Sequence, residues 1–233
     1  MIPLAILAGG YGRRLGTIGR RVPKSLVPVR GACFLDYQLA WAVRQGVNRV
    51  VLCLGHRGRE IRRHLERRPP HGVSLWISDE GARPRGTAAA LRLALEQLGK
   101  RFFVLYGDSY LPVCYAAVEF AQRASGSPAL MVIYRNDGRY GRSNVQPRSK
   151  TIVRYMRGDL PGLCWIDAGL SVLTPAALGA HATPDLPVLF EALALSGRLA
   201  CRRTRQRFYE VGSSAGLAEF RRWAPRLRDP AGW

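Results

Sequence analysis

A chain of 233 residues is long enough to bury a substantial core in one α/β domain. With 47% hydrophobic and 22% charged residues it lies in the ordinary globular range, which excludes wholesale disorder. The formal charge is +20, yet only three of the 36 basic residues are lysines (Lys24, Lys100 and Lys150), a ratio that reflects GC-rich coding more than a nucleic-acid surface; a field of this sign draws in anionic substrates.

Strand and helix patterns alternate along most of the chain. Pro3 to Leu7 reads as a short buried strand that runs into glycines and then a basic segment ending at Pro23. Phe34 to Gln45 carries Leu35, Leu39, Ala42 and Val43 at helical spacing, and Gly46 stops it. Arg49 to Leu54 is a second buried strand, Arg59 to Arg68 a polar helix and Val73 to Ser78 a third strand. An alanine- and leucine-rich helix from Gly86 to Leu98 leads to the strand Phe102 to Leu105. Beyond Asp108 come a helix (Tyr115 to Ala124), a strand (Ala129 to Tyr134) and a stretch from Asn136 to Leu163 whose strands the pattern does not order. Ile166 to Leu173 is a strand, Leu186 to Ser196 a helix, and Phe208 to Val211 precedes a last helix from Ala215. Strands separated by helices predict right-handed βαβ units: a Rossmann-like, mainly parallel sheet flanked by helices, in one domain over residues 1–233. No linker, internal repeat or hexapeptide pattern is visible, so no β-helix domain is expected.

No stretch is long enough to span a bilayer, and the apolar run Ile2 to Ala8 lacks the basic leader of a signal peptide, so a cytoplasmic protein without a membrane partner is expected. The five cysteines (Cys33, Cys53, Cys114, Cys164, Cys201) form no CxxC pair and have no histidine at metal-ligand spacing, so free thiols are expected. His56, His64, His71 and His181 lack partners at catalytic spacing and read as structural or exposed.

The strongest signal is Leu7-Ala8-Gly9-Gly10-Tyr11-Gly12-Arg13-Arg14-Leu15, followed by Pro23-Lys24-Ser25-Leu26-Val27-Pro28-Val29. A glycine-rich turn after a strand lets backbone N–H groups approach a phosphate closely, because no Cβ intervenes. Arg14 and Lys24 then supply fixed positive charge beside those phosphates. A P-loop is excluded because no GKS or GKT follows, and a dinucleotide fingerprint because Leu15 stands where its third glycine belongs.

This pair of segments resembles the signature of the sugar-phosphate nucleotidyltransferase superfamily, and within it the short mannose-1-phosphate or heptose-1-phosphate guanylyltransferase-like enzymes, on a GT-A-like fold. Gly86-Thr87-Ala88, Tyr106-Gly107-Asp108-Ser109, Ile166-Asp167-Ala168-Gly169-Leu170 and Phe208-Tyr209-Glu210-Val211-Gly212-Ser213 match the family's later segments in order. The resemblance implies that Leu7, Ala8, Gly9, Gly10, Gly12, Arg13, Gly86 and Thr87 bind a nucleoside triphosphate. Glu80 would accept from a base N–H, although a solvated loop glutamate reads the same way. Asp108, which on position alone reads rather as a cap of the next helix or a turn residue, becomes through the resemblance a magnesium ligand together with Glu210, where the family usually has aspartate. On the sugar-phosphate side the resemblance implies Asp167, Asn144 and Arg157. Arg157 replaces the usual lysine and could equally be one more solvent-facing arginine.

The implied reaction is a magnesium-assisted transfer of a nucleoside monophosphate from an NTP to a sugar 1-phosphate, with Arg14, Lys24 and Asp108 as its catalytic groups. Guanosine is suggested only by the closest-looking relatives, and nothing fixes or forbids a homo-oligomer. The rival reading is a non-catalytic regulatory or polyanion-binding protein on the same fold; specific nucleic-acid binding is not expected.

Overall fold

A computed structural model describes residues 1–81, 83, 85–156 and 162–227. In chain order its strands are β1 (Leu4–Leu7), β2 (Pro28–Val29), β3 (Ala32–Cys33), β4 (Arg49–Leu54), β5 (Ser74–Asp79), β6 (Phe102–Tyr106), β7 (Ser109–Tyr110), β8 (Ala129–Arg135), β9 (Val145–Arg148), β10 (Thr151–Tyr155), β11 (Trp165–Leu173), β12 (Leu199–Thr204) and β13 (Tyr209–Glu210). The helices are α1 (Thr17–Arg21), α2 (Phe34–Arg44), α3 (Gly58–Arg67), α4 (Thr87–Leu93), α5 (Leu95–Leu98), α6 (Tyr115–Ser125), α7 (Pro175–Leu178), α8 (Leu186–Leu195) and α9 (Ser214–Trp223).

Nine strands form one sheet in the order β5-β4-β1-β6-β11-β8-β12-β10-β9. The block β5-β4-β1-β6 is parallel, as the alternating pattern predicts, and β8 and β12 are parallel to each other. β11 runs antiparallel to both β6 and β8, which makes the sheet mixed. β1 is buried at all four positions because helices cover both faces of the sheet beside it. The chain steps outward from β1 to β4 and β5, then returns to lay β6 on the other side. This reversal opens a crevice at the C-terminal ends of β1 and β6, the place where open α/β sheets bind ligands.

Two segments differ from the pattern. The helix expected from Gly86 to Leu98 is broken, because the Ala94 N–H is shared between the carbonyls of Ala90 (3.3 Å) and Leu91 (3.2 Å), which tightens the turn between α4 and α5. The unordered stretch contains the antiparallel pair β9–β10, joined through Ser149 at φ 56 and bulged between Ile152 and Arg154.

Residues on the two faces of the sheet feed separate cores, one packed on α4 and α8 and the other on α2, α3 and α6. A third cluster lies at the site end. Phe34, Tyr37, Tyr110, Tyr209 and Phe220 are all buried there, and the Tyr209 ring stacks on Trp223 with centroids 4.4 Å apart. It clamps the short ladder β7–β13, in which Glu210 pairs with Ser109 and the Val211 N–H donates to the Asp108 carbonyl at 2.8 Å. Phe220 is fully buried against Phe34, Tyr37, Tyr110 and Tyr209. Phe220→Ala is expected to cost about 3–5 kcal/mol of unfolding free energy, and denaturant titration measures it.

Candidate active site

The glycine-rich turn begins where β1 ends. The Ala8 N–H extends the ladder to the Cys53 carbonyl (2.9 Å), and the Gly9 carbonyl accepts from His56 N–H (3.1 Å). Gly12 is left-handed at φ 64 and feeds a single 3₁₀ turn, Arg13–Leu15. That turn sends its two arginines apart. Arg13 stacks over the Tyr11 ring at 5.0 Å, whereas Arg14 Nη2 donates to Glu210 Oε1 at 2.6 Å and lies 3.8 Å from Asp108 Oδ2. A second 3₁₀ turn, Lys24–Leu26, follows Pro23. It brings Lys24 Nζ to 2.5 Å from Asp108 Oδ2, its stem packed against Gly12.

Asp108 owes its place to a close approach of backbones. A Cβ on Gly107 would run into the Leu7 carbonyl, so only glycine lets β6 leave the sheet this near to β1. Glu210 arrives from β13. A Cβ on Gly212 would lie 2.5 Å from Glu210 Oε1 and 2.7 Å from Asp108 Oδ2, so the two carboxylate oxygens flank one point that a glycine leaves open. Burial, and next the charge of Asp108, push the Glu210 carboxyl above its usual range, against the pull of Arg14 and Lys24. Two hard anionic oxygens around an open cradle fit a divalent cation such as Mg²⁺.

Two cavities meet at this point. One is lined by Gly9, Gly10, Lys24, Glu80, Gly86 and Thr87, with Asp185 on its wall. The other is lined by Arg14, Asn144, Tyr155, Asp167, Gly169 and Glu210. Tyr106 and Asp108 belong to both. In the first, Glu80 Oε2 accepts the Arg85 N–H at 2.8 Å, and its other oxygen rests beside the backbones of Gly9 and Gly55. In the second, Asn144 Oδ1 accepts the Asp167 N–H at 3.0 Å, leaving the Asn144 amide group as a donor on the wall. Asp167 Oδ1 accepts the Gly169 N–H at 2.9 Å, yet burial pushes its carboxyl up to about 7.

The structure thus gathers Leu7, Gly9, Gly10, Lys24, Glu80, Gly86, Thr87 and Asp108 around one cavity, and Arg14, Asn144, Asp108, Asp167 and Glu210 around the other. Ala8 is buried outside both linings, and Arg13 and Gly12 face a separate cleft with Tyr11, Arg20, His56 and Arg57. Thr87 has a structural duty as well, since its hydroxyl accepts the Leu186 N–H at 2.8 Å and starts α8. Arg157 lies outside the described residues. Sequence reasoning missed Asp185, Tyr106 and Tyr155. The carbonyl of Pro184 accepts the N–H groups of Ala88 (2.7 Å) and Ala89 (3.0 Å), which pins the loop carrying Asp185 to the start of α4. Nothing local in the sequence announces that pairing.

A Rossmann-like sheet with a glycine-rich turn, a trailing lysine and two facing carboxylates defines a nucleotidyltransferase-type α/β domain. The chain belongs to the MobA-like NTP transferase domain family, whose model matches residues 4–226. It is 27% identical over 217 residues to the mannose-1-phosphate guanylyltransferase catalytic subunit beta of Xenopus tropicalis, covering 89% of this chain and 60% of that one. It is 26% identical over 148 residues to the D-glycero-alpha-D-manno-heptose 1-phosphate guanylyltransferase of Campylobacter jejuni, covering 63% of this chain and 65% of the relative. The chain therefore spans less than two thirds of the length of these relatives. The crystal structure of HddC from Yersinia pseudotuberculosis shares the fold, with a TM-score of 0.78 and 23% identity over 96% of this chain and 100% of that one. That protein has also been solved in complex with GMP-PN. Among the described residues no helix is long and apolar enough to cross a membrane.

With burial pushing its carboxyl up to about 7, Asp167 is expected to change from donor to acceptor across the neutral range. Its raised value means the folded state favours the protonated form, so its ionisation costs stability progressively between the unfolded value of 3.8 and about 7. Asp167→Asn is expected to flatten the slope of stability against pH over that window, measured by thermal unfolding at closely spaced pH values.

Proposed function

We propose that this single domain transfers a nucleoside monophosphate from an NTP to a sugar 1-phosphate, yielding a nucleotide sugar and pyrophosphate. The observation that carries the reading is the junction of the two cavities at Asp108, because the reaction needs two anionic substrates held end to end. The triphosphate occupies the cavity walled by the glycine-rich turn, Gly86 and Thr87. The sugar 1-phosphate occupies the cavity of Asn144 and Asp167, where those groups meet sugar hydroxyls, and Arg157 is proposed for its phosphate.

A sugar-phosphate oxygen attacks the α-phosphorus, the new P–O bond forms, and the bond to the β-phosphate oxygen breaks opposite to it. The nucleophile is already anionic, so no general base is needed. The protein's work is alignment and neutralisation of charge growing on phosphate oxygens. Lys24 and Arg14 supply that charge. They also pair with Asp108 and Glu210, which places both cations beside the junction where the phosphates would lie. Asp108 and Glu210 are the pair that would hold Mg²⁺, and such an ion, when bound, neutralises phosphate charge and orders the reacting groups. Soluble, cytoplasmic chemistry is part of this proposal. A polyanion-binding role has no need for two carboxylates at the centre of the site, where they repel the ligand.

We assign guanine as the base on the names of the guanylyltransferase relatives and on Glu80. Its carboxylate is an acceptor of the kind that guanine's ring N–H and exocyclic amine can meet, and a hydrogen bond to a charged group contributes about 1.5–3 kcal/mol.

Lys24→Ala and Asp108→Ala are each expected to lower turnover by about two orders of magnitude or more, the scale of losing one charge-stabilising group. A pyrophosphate-release assay over a panel of NTPs and sugar 1-phosphates reads this, and wild-type rates from either folded variant would defeat the proposal. Glu80→Gln is expected to raise the KM for GTP by about tenfold or more while changing that for other NTPs less. An equal effect on every base would remove Glu80 from base selection.

A further inference from the structure

Cys33 and His64 stand 31 residues apart in sequence, on different elements, and the fold brings them together. Cys33 ends β3 as the N-cap of α2, Asp36 lies in the first turn of α2, and His64 lies on α3. His64 Nε2 is 2.7 Å from Asp36 Oδ1 and 3.3 Å from Cys33 Sγ. One ligand atom from each of the three residues lies within 4.8 Å of the others. None of the three lines either cavity that meets at Asp108. Cys33 and Asp36 are buried, whereas the His64 side chain keeps 19% of its surface in solvent. An ion could thus enter along its edge.

We propose that Cys33, Asp36 and His64 form a second cation site, of the zinc class, apart from the nucleotidyltransfer site. The donor set is sulfur, imidazole nitrogen and carboxylate oxygen, the mixture that zinc prefers over the all-oxygen shells of magnesium or calcium. The spacing is close to what a tetrahedral ion needs. With zinc bonds of about 2.3 Å to sulfur and about 2.0–2.2 Å to nitrogen and oxygen, the N···O and N···S edges are roughly 3.4 and 3.6 Å. From 2.7 and 3.3 Å, the N···O edge has to lengthen by about 0.7 Å and the N···S edge by about 0.3 Å to admit one ion, with water in the fourth position.

Its hydrogen bonds support the same reading. Asp36 Oδ2 accepts the Cys33 backbone N–H at 2.8 Å, which orients the carboxylate and leaves Oδ1 to face His64. Burial pushes the Asp36 carboxyl up, but the hydrogen bonds from His64 and Cys33 outweigh this and hold it below its usual range. The Cys33 thiol is held protonated by burial first and by Asp36 second, so without an ion it is an unreactive thiol rather than a redox centre. Zinc binding converts S–H to a zinc-bound thiolate and releases that proton to solvent, and the neutral imidazole of His64 carries its remaining proton on Nδ1 so that Nε2 is free to ligate. The ion would tie α3 to the start of α2. Gln38, two residues beyond Asp36, donates to the carbonyls of Tyr106 (3.0 Å) and Ser109 (2.8 Å) on either side of Asp108, so the site also braces the catalytic strand end.

The test is titration of the chelator-treated whole chain with Co²⁺, whose near-ultraviolet charge-transfer band reports a thiolate ligand. One equivalent giving this band is expected. Cys33→Ser should abolish the band, and His64→Ala should weaken Co²⁺ binding by more than the roughly 10–100-fold that loss of a supporting partner costs. Asp108→Asn and the exposed-thiol variants Cys114→Ser and Cys164→Ser should keep it. Zinc should raise the thermal midpoint of wild type and of Asp108→Asn, but not of His64→Ala. Should Cys33→Ser fail to fold, His64→Ala alone decides. No band in wild type, a band that survives His64→Ala unchanged, or one lost in Asp108→Asn overturns the proposal.

Discussion

Two carboxylates held face to face by backbone pairing are the constraint on which this site depends. Asp108 and Glu210 come from segments about a hundred residues apart, and the ladder β7–β13 fixes their side chains around the point left open by Gly212. Their mutual repulsion works against folding, and it adds to burial, the larger cause, in raising the Glu210 carboxyl. Arg14 and Lys24 offset it, and the aromatic cluster around Phe220 supplies the packing that holds the ladder shut.

The rest of the fold follows from bringing that pair to the sheet's reversal point. The turn after β1 has to pass beside the end of β6, which the bare backbone of Gly107 permits. The turn then delivers Arg14, and the segment opening with Pro23 delivers Lys24, both to Asp108. On the far side, β11 is antiparallel to β6, so the start of β11 runs alongside the segment that follows β6 and carries Asp167 to the second cavity. A parallel β11 would put its opposite end there. The mixed character of the sheet is therefore what creates two cavities with Asp108 between them.

The glycine-rich turn, Lys24 and the parallel block β5-β4-β1-β6 were legible in the sequence because each is encoded locally, in turn chemistry or in buried strands alternating with helices. Asp108 and Glu210 were legible only through the resemblance, since a single acid at a strand end also reads as a helix cap. Asp185 was not legible because its loop is pinned to α4 through the Pro184 carbonyl, and the break at Ala94 was not because nothing in the alanine- and leucine-rich pattern marks the shared Ala94 N–H. The nearness of Cys33 and His64 escaped as well. Metal-ligand spacing rules rest on short repeated gaps such as C-x2-C or H-x3-H, whereas this pair stands 31 residues apart on separate elements. Arg13 and Arg14 show the limit in the other direction. Adjacent in sequence and alike in chemistry, they are separated by one 3₁₀ turn into a tyrosine stack and a carboxylate pair.

Glutamate at position 210 fits this geometry on its own terms. β13 pairs with Ser109 rather than with Asp108 itself, so the backbone of residue 210 stands one register step beyond its partner carboxylate. The additional methylene lets Oε1 reach back to the point beside Gly212 that Asp108 Oδ2 also flanks. A shorter acid at the same backbone position would leave Arg14 bridging a wider gap. The reach of Glu210 thus meets that of Arg14, whose Nη2 donates to Oε1 at 2.6 Å.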